Sequence, residues 1–145
     1  MNQQAATAQL IRSIQIDADP QTIWKIVTDP NQYWGAAFGE GTRAESDWQE
    51  GARILWKDGN NNIGAYGKVE VNQPAQYLQL HYTDNPEAGP DAPLGGYFEK
   101  FRLSEKNNNS AMLTIEAGKI EEVHLPNHQE MWDRALEMIK KAAEA

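Results

Sequence analysis

The stretch NHQEMWDRALEMIKKAAEA, residues 127–145, decides the fold. Trp132, Leu136, Ile139 and Ala143 recur three to four positions apart with Ala135 beside them, while Glu130, Asp133, Arg134, Glu137 and Lys141 fall elsewhere around the helix. That spacing puts one apolar stripe on an otherwise polar helix, and such a stripe has to be covered. Asn127 is placed to cap the helix, with Glu130 three residues on to complete a capping-box-like start. Lys140 and Lys141 in the last turns complement the helix dipole. The covering surface for the stripe must come from upstream.

From Thr42 to Gly118 the pattern changes to short alternating runs separated by turn residues, which predicts an antiparallel sheet of consecutive hairpins. The predicted strands are Thr42 to Trp48, Ala52 to Lys57, Ile63 to Asn72, Gln76 to Thr83, Gly96 to Ser104 and Ala111 to Gly118. Leu10 to Ile16 adds a seventh, with Leu10, Ile14 and Ile16 on one face. Two short helices follow it. Asp19 caps the first, which has Pro20 in its first turn and Ile23, Trp24 and Val27 at helical spacing; the second runs from Asn31 to Phe38. Asp84 to Gly96, with Pro86, Pro90 and Pro93, is too long for a hairpin turn and is expected to form a flexible flap. The fold class is α+β, a single domain over residues 1–145 with the long terminal helix across a curved sheet.

The last hairpin can be put in register. Pairing Leu103 with Leu113 sets Phe101 opposite Ile115 on the inner face, and Lys100 opposite Glu116 with Arg102 opposite Thr114 on the outer. Glu99 is in phase with Phe101 and Leu103 and so points inward, where a carboxylate needs a partner or water.

Read by the same alternation, Trp48, Trp56, Tyr82, Phe101 and Trp132 face a hollow, with Leu136 on the helix and Trp34 and Phe38 near its entrance. Ala65 and Gly67 leave space on the inward phase of their strand, although Gly67 also fits a bulge. Tyr66, Tyr82, Glu99 and Arg53 would supply polar selectivity. Rings of this kind line ligand pockets and also fill cores. A buried Glu99 would be raised in pKa, which makes it the one candidate for general-acid chemistry. His81 is expected to face outward. His124 and His128 lie four apart, but Pro126 stands between them ahead of the expected helix start, and no third ligand is evident, so no metal is expected.

Composition narrows the function. Thirteen basic against twenty-one acidic residues give a net charge of −8, which disfavours nucleic acid and anionic membranes as partners. The chain has no cysteine, hence neither disulfide nor thiolate chemistry, and no nucleophile elbow or phosphate-cradling loop. The polar start from Met1 to Gln9 lacks the basic and apolar regions of a secretory signal, and no run is long enough to span a membrane, so a cytoplasmic protein is expected.

Several phrases carry a family resemblance: Asp19-Pro20-Gln21-Thr22-Ile23-Trp24 with Val27-Thr28-Asp29-Pro30; Asp47-Trp48-Gln49-Glu50-Gly51-Ala52-Arg53-Ile54-Leu55-Trp56; Gly67-Lys68-Val69-Glu70-Val71-Asn72-Gln73-Pro74 before Tyr77-Leu78-Gln79-Leu80; and Leu113-Thr114-Ile115 before the helix bearing Trp132. In this order the chain resembles the activator of Hsp90 ATPase homologue-like family within the START and pollen-allergen-like superfamily. The resemblance implies a helix-grip fold with a cavity for a small apolar or aromatic molecule, and no obligatory cofactor. Two alternatives stand beside it: a cyclase- or aromatase-like enzyme in which Glu99 or a tyrosine hydroxyl moves a proton on a pocket-bound intermediate, and a co-chaperone-like module whose partner is Hsp90. A monomer or a homodimer is expected.

Overall fold

Alternation along the first strand survives as burial: Leu10 and Ile16 are fully buried while Ile11, Ser13 and Gln15 look to solvent. The computed structural model of the protein describes residues 6–86 and 92–145. In it β1 (Thr7–Ile16) is followed by α1 (Pro20–Val27), α2 (Pro30–Tyr33) and a 3-10 turn (Gly35–Phe38). Six strands come next: β2 (Arg43–Glu45), β3 (Arg53–Lys57), β4 (Ile63–Gln73), β5 (Tyr77–Thr83), β6 (Leu94–Asn107) and β7 (Ser110–Glu121). A 3-10 turn (Glu122–His124) leads into α3 (Leu125–Glu144). The strands form one antiparallel, open, curved sheet in the order β1-β7-β6-β5-β4-β3-β2, so every neighbour but the β1–β7 pair is a sequential hairpin.

Helix α3 covers the sheet with the face its periodicity marks, burying Trp132, Ala135, Leu136, Ile139 and Ala143 against β1, α1 and the Gly35–Phe38 turn. The β6–β7 register is the one derived from the sequence, with Leu103 opposite Leu113, Phe101 opposite Ile115, Lys100 opposite Glu116 and Arg102 opposite Thr114. Asp19 caps α1 by accepting the Thr22 backbone N–H at 2.9 Å and the Thr22 hydroxyl at 2.9 Å.

Four expectations are corrected. Helix α3 begins at Leu125, and Asn127 lies inside its first turn: Pro126 has no N–H to lose there, and the preceding 3-10 turn feeds the helix without a side-chain cap. The second short helix is two pieces, because Trp34 leaves helical geometry (φ −137°, ψ −4°) so that its indole N–H can donate to the Ile26 and Val27 carbonyls at 3.1 and 3.2 Å. The strand expected over Thr42 to Trp48 pairs only at Arg43–Glu45, since the Ser46 hydroxyl and the Asp47 carboxylate accept the backbone N–H groups of Trp48 and Gln49 and turn the chain. Trp48 itself takes a left-handed φ of 64°. The flap expected from Asp84 to Gly96 is shorter, because β6 already begins at Leu94; its centre, residues 87–91, lies outside the described residues.

The edge strand β2 is closed off by one side chain. The Asn31 amide donates to the Ala44 carbonyl at 2.9 Å and accepts the Ala44 N–H at 2.6 Å, imitating the next strand of the ladder. Among the described residues no helix is long and apolar enough to cross a membrane.

Candidate functional site

Between the sheet's inner face and the N-terminal half of α3 lies an open hollow of about 580 Å³. Its apolar side is a cluster of rings centred on Trp34, whose ring centroid is 5.8 to 6.0 Å from those of Trp56, Trp132, Phe38 and Phe101. Phe38 stands edge-on to Trp132 at 4.8 Å. Trp34 is only 1% exposed and is anchored by its indole N–H to the end of α1, so it is a fixed part of the wall and not a gate at the entrance.

The polar side is built on β5 and β6. Tyr97 and Glu99, two residues apart, project from the same face of β6, and Tyr82 reaches them from β5. The Tyr82 hydroxyl donates to Glu99 Oε1 at 2.7 Å, the Tyr97 hydroxyl donates to Glu99 Oε2 at 2.8 Å, and the Trp56 indole N–H donates to the Tyr82 oxygen at 3.0 Å. Trp56 and Tyr82 sit on strands that are not neighbours, and they meet because β4 presents only Ala65 and Gly67 between them. A Cβ on Gly67 would lie 2.5 Å from the His81 carbonyl oxygen and 2.8 Å from Tyr82 Cδ1. The space that Gly67 leaves is therefore taken up by β5, and the register shift of this pair falls at Val69/Val71. Ala65 does line the hollow.

Burial raises the Glu99 carboxyl above its ordinary pKa, and the two tyrosine hydrogen bonds only partly offset this. Glu99 is one of the residues that line the hollow. Tyr82 and Tyr97 are raised well above the ordinary phenol value, first by burial and then by the Glu99 charge, so both keep their protons as donors. No ion pair among the described residues includes Glu99. Three residues of the lining each carry a fully buried polar atom without a hydrogen-bond partner: Thr83 Oγ1, His128 Nδ1 and Trp132 Nε1. The Trp132 N–H lies close enough to the Tyr97 hydroxyl to oppose part of its pKa rise, but without the geometry of a hydrogen bond.

Of the residues singled out in the sequence, Trp34, Phe38, Trp56, Tyr82, Glu99 and Trp132 converge on the hollow. Phe101 and Leu136 lie behind the wall in the core. Trp48 packs half-buried at the far end of the domain's irregular loop, where Asn72 donates to its carbonyl. Tyr66 pairs with Leu55 on the outer phase of β4, opposite in phase to Ala65 and Gly67, and Arg53 is exposed on that same outer face. His81 is on the outer face as expected, bonded to Glu70 at 2.7 Å and to the Gly95 carbonyl at 2.7 Å.

His124 and His128 flank the start of α3. Because α3 starts at Leu125, both reach the mouth of the hollow, and burial followed by the His124 charge lowers the His128 pKa. Among the described residues no three His, Asp or Glu side chains gather closely enough to hold a metal ion. Tyr97 is the residue that sequence reasoning passed over, although its phase with Glu99 and Phe101 carried the signal.

Comparison with known proteins places this arrangement. Residues 17–144 match the family described as Activator of Hsp90 ATPase homolog 1-like protein. The chain belongs to that family. The fold is shared with the Aha1 protein of Colwellia psychrerythraea, a dimer in its solution structure, at 19% identity and a TM-score of 0.68 over 94% of this chain and 96% of that one. Protein MLL2253 of Mesorhizobium loti is 13% identical with a TM-score of 0.71, over 93% of this chain and 96% of the other. CalU16 of Micromonospora echinospora is 18% identical with a TM-score of 0.63, over 97% and 87% of the two chains. At these identities the likeness is one of fold alone. No curated protein matches the sequence significantly.

Proposed function

We propose that this domain binds a small, mostly apolar or aromatic molecule in the hollow between the sheet and α3. The observation that carries the reading is the hollow itself: about 580 Å³ with a wall of tryptophan and phenylalanine rings and the convergent polar groups of Tyr82, Tyr97 and Glu99. Affinity comes from burying the guest against Trp34, Phe38, Trp56 and Trp132, and orientation from the Glu99 patch. Trp56 and Trp132 report on occupancy by their own fluorescence. Titration with apolar and aromatic compounds should give saturable quenching that is weakened in Trp132→Leu, and native mass spectrometry of freshly purified protein should show the added mass. Absence of both signals across chemically varied panels would sink the reading.

The raised Glu99 carboxyl inside this hollow favours a second reading, in which the pocket folds a reactive intermediate and Glu99 moves a proton. Its mark would be turnover of a bound compound that Glu99→Gln abolishes while leaving binding intact. Loss of turnover and binding together would return the residue to a binding role.

A further inference from the structure

We propose that the guest is an organic cation, an aromatic or apolar amine whose ammonium group rests on the Glu99 carboxylate; this deepens the binding reading above and depends on it. Three features of the polar wall lead there.

The first is charge. Glu99 lies on the hollow with tyrosine hydroxyls on both oxygens but no lysine, arginine or histidine paired to it. Hydroxyl donors lower the cost of burying a carboxylate without neutralising it. Of the lysines on the lining, Lys57 is already held by Glu45 at 2.8 Å, and Lys119 is exposed at the mouth. A cationic guest would supply the missing partner.

The second is the direction of the hydrogen bonds. Both phenol protons are committed to Glu99, and the Tyr82 oxygen already accepts from Trp56. What the patch still offers is lone pairs, on Glu99 and on the Tyr97 oxygen. An ammonium group brings only donors and matches that supply, whereas a carboxylate guest would meet like charge and no donors.

The third is the ring environment. Trp56, Tyr82 and Tyr97 are the groups that touch or bond the carboxylate network, and aromatic surroundings favour a cation further. The net charge of −8 draws cations toward the molecule from a distance.

The test uses three guests built on one indole body: tryptamine, tryptophol and indolepropionate, titrated calorimetrically into the intact protein near neutral pH. Tryptamine should bind about tenfold tighter than tryptophol, and indolepropionate the weakest of the three. Glu99→Gln should abolish the preference, bringing the tryptamine and tryptophol affinities of that variant to within about twofold of each other. The wild-type ranking decides the matter even if that variant does not fold. Tryptophol binding with no preference for tryptamine, a preference that survives Glu99→Gln, or tightest binding of indolepropionate each overturns the cation inference and leaves the hollow as a binding site. Failure of all three guests overturns both.

Discussion

Glycine 67 allows the polar wall to be tested without touching any of its functional groups. An alanine there must put its Cβ 2.5 Å from the His81 carbonyl oxygen, 3.1 Å from Tyr82 Cα and 2.8 Å from Tyr82 Cδ1. Two of these three neighbours are backbone in a hydrogen-bonded ladder, so β4 and β5 have to part. Overpacking against backbone falls in the upper part of the usual range, about 2–3 kcal/mol, and the stiffer unfolded chain returns about 0.4–1 kcal/mol, leaving a net loss of about 1–2.6 kcal/mol. For a chain of this size that is a fall in Tm of roughly 3–8 °C. Displacing Tyr82 also stretches its bonds to Glu99 and Trp56, so tryptophan emission should shift in the folded state. Gly64, on the same strand, is the control: a Cβ there meets only the Trp56 carbonyl oxygen at 3.9 Å. Gly64→Ala should be neutral or stabilising by up to about 1 kcal/mol. Chemical denaturation of both variants measures the difference. Equal stabilities, or a Gly67→Ala protein as stable as the wild type with unchanged emission, would refute the argument that Gly67 exists to admit Tyr82.

Glu99 has a raised pKa in the folded protein, so the native state holds its proton more tightly than the unfolded chain. Its contribution to stability is present below the ordinary value of 4.5 and is lost as pH rises through the raised one. The unfolding free energy of wild type minus that of Glu99→Gln should therefore decline from acid toward neutral pH, and a flat difference would contradict the burial. His128 has the opposite sign: lowered by burial, it lends stability above its ordinary 6.5 that is lost as the pH falls through its folded value. His128→Asn should flatten that acid limb, as read from denaturant midpoints at a series of pH values. Trp34→Phe removes the donor to both α1 carbonyls and leaves a small void, for a loss of about 2–4 kcal/mol in denaturant unfolding; a loss under about 1 kcal/mol would mean the anchor is dispensable.

Much of this protein is determined by local rules that a sequence states openly. A period of 3.6 buried the right face of α3, a period of 2 placed Leu103 opposite Leu113, and Asp19 ahead of Pro20 marked a helix start that the Thr22 bonds complete. The inward aim of Glu99 follows from the same alternation, and Tyr97 shares its phase. What only the tertiary structure decided are meetings between residues far apart in the chain. Trp56 reaches Tyr82 because a curved sheet carries β3 over the small residues of β4, which no spacing records. Periodicity marked the space beside Gly67 as a vacancy, and packing filled it from the next strand. Trp48 was in phase on paper, but Ser46 and Asp47 offered its backbone nearer hydrogen bonds than the ladder did, and a left-handed turn took the ring out of the hollow. Phase gives the face of a residue because side-chain direction is fixed by the local backbone. Whether that face meets a neighbour, a void or a charge depends on strands that arrive from elsewhere in the chain.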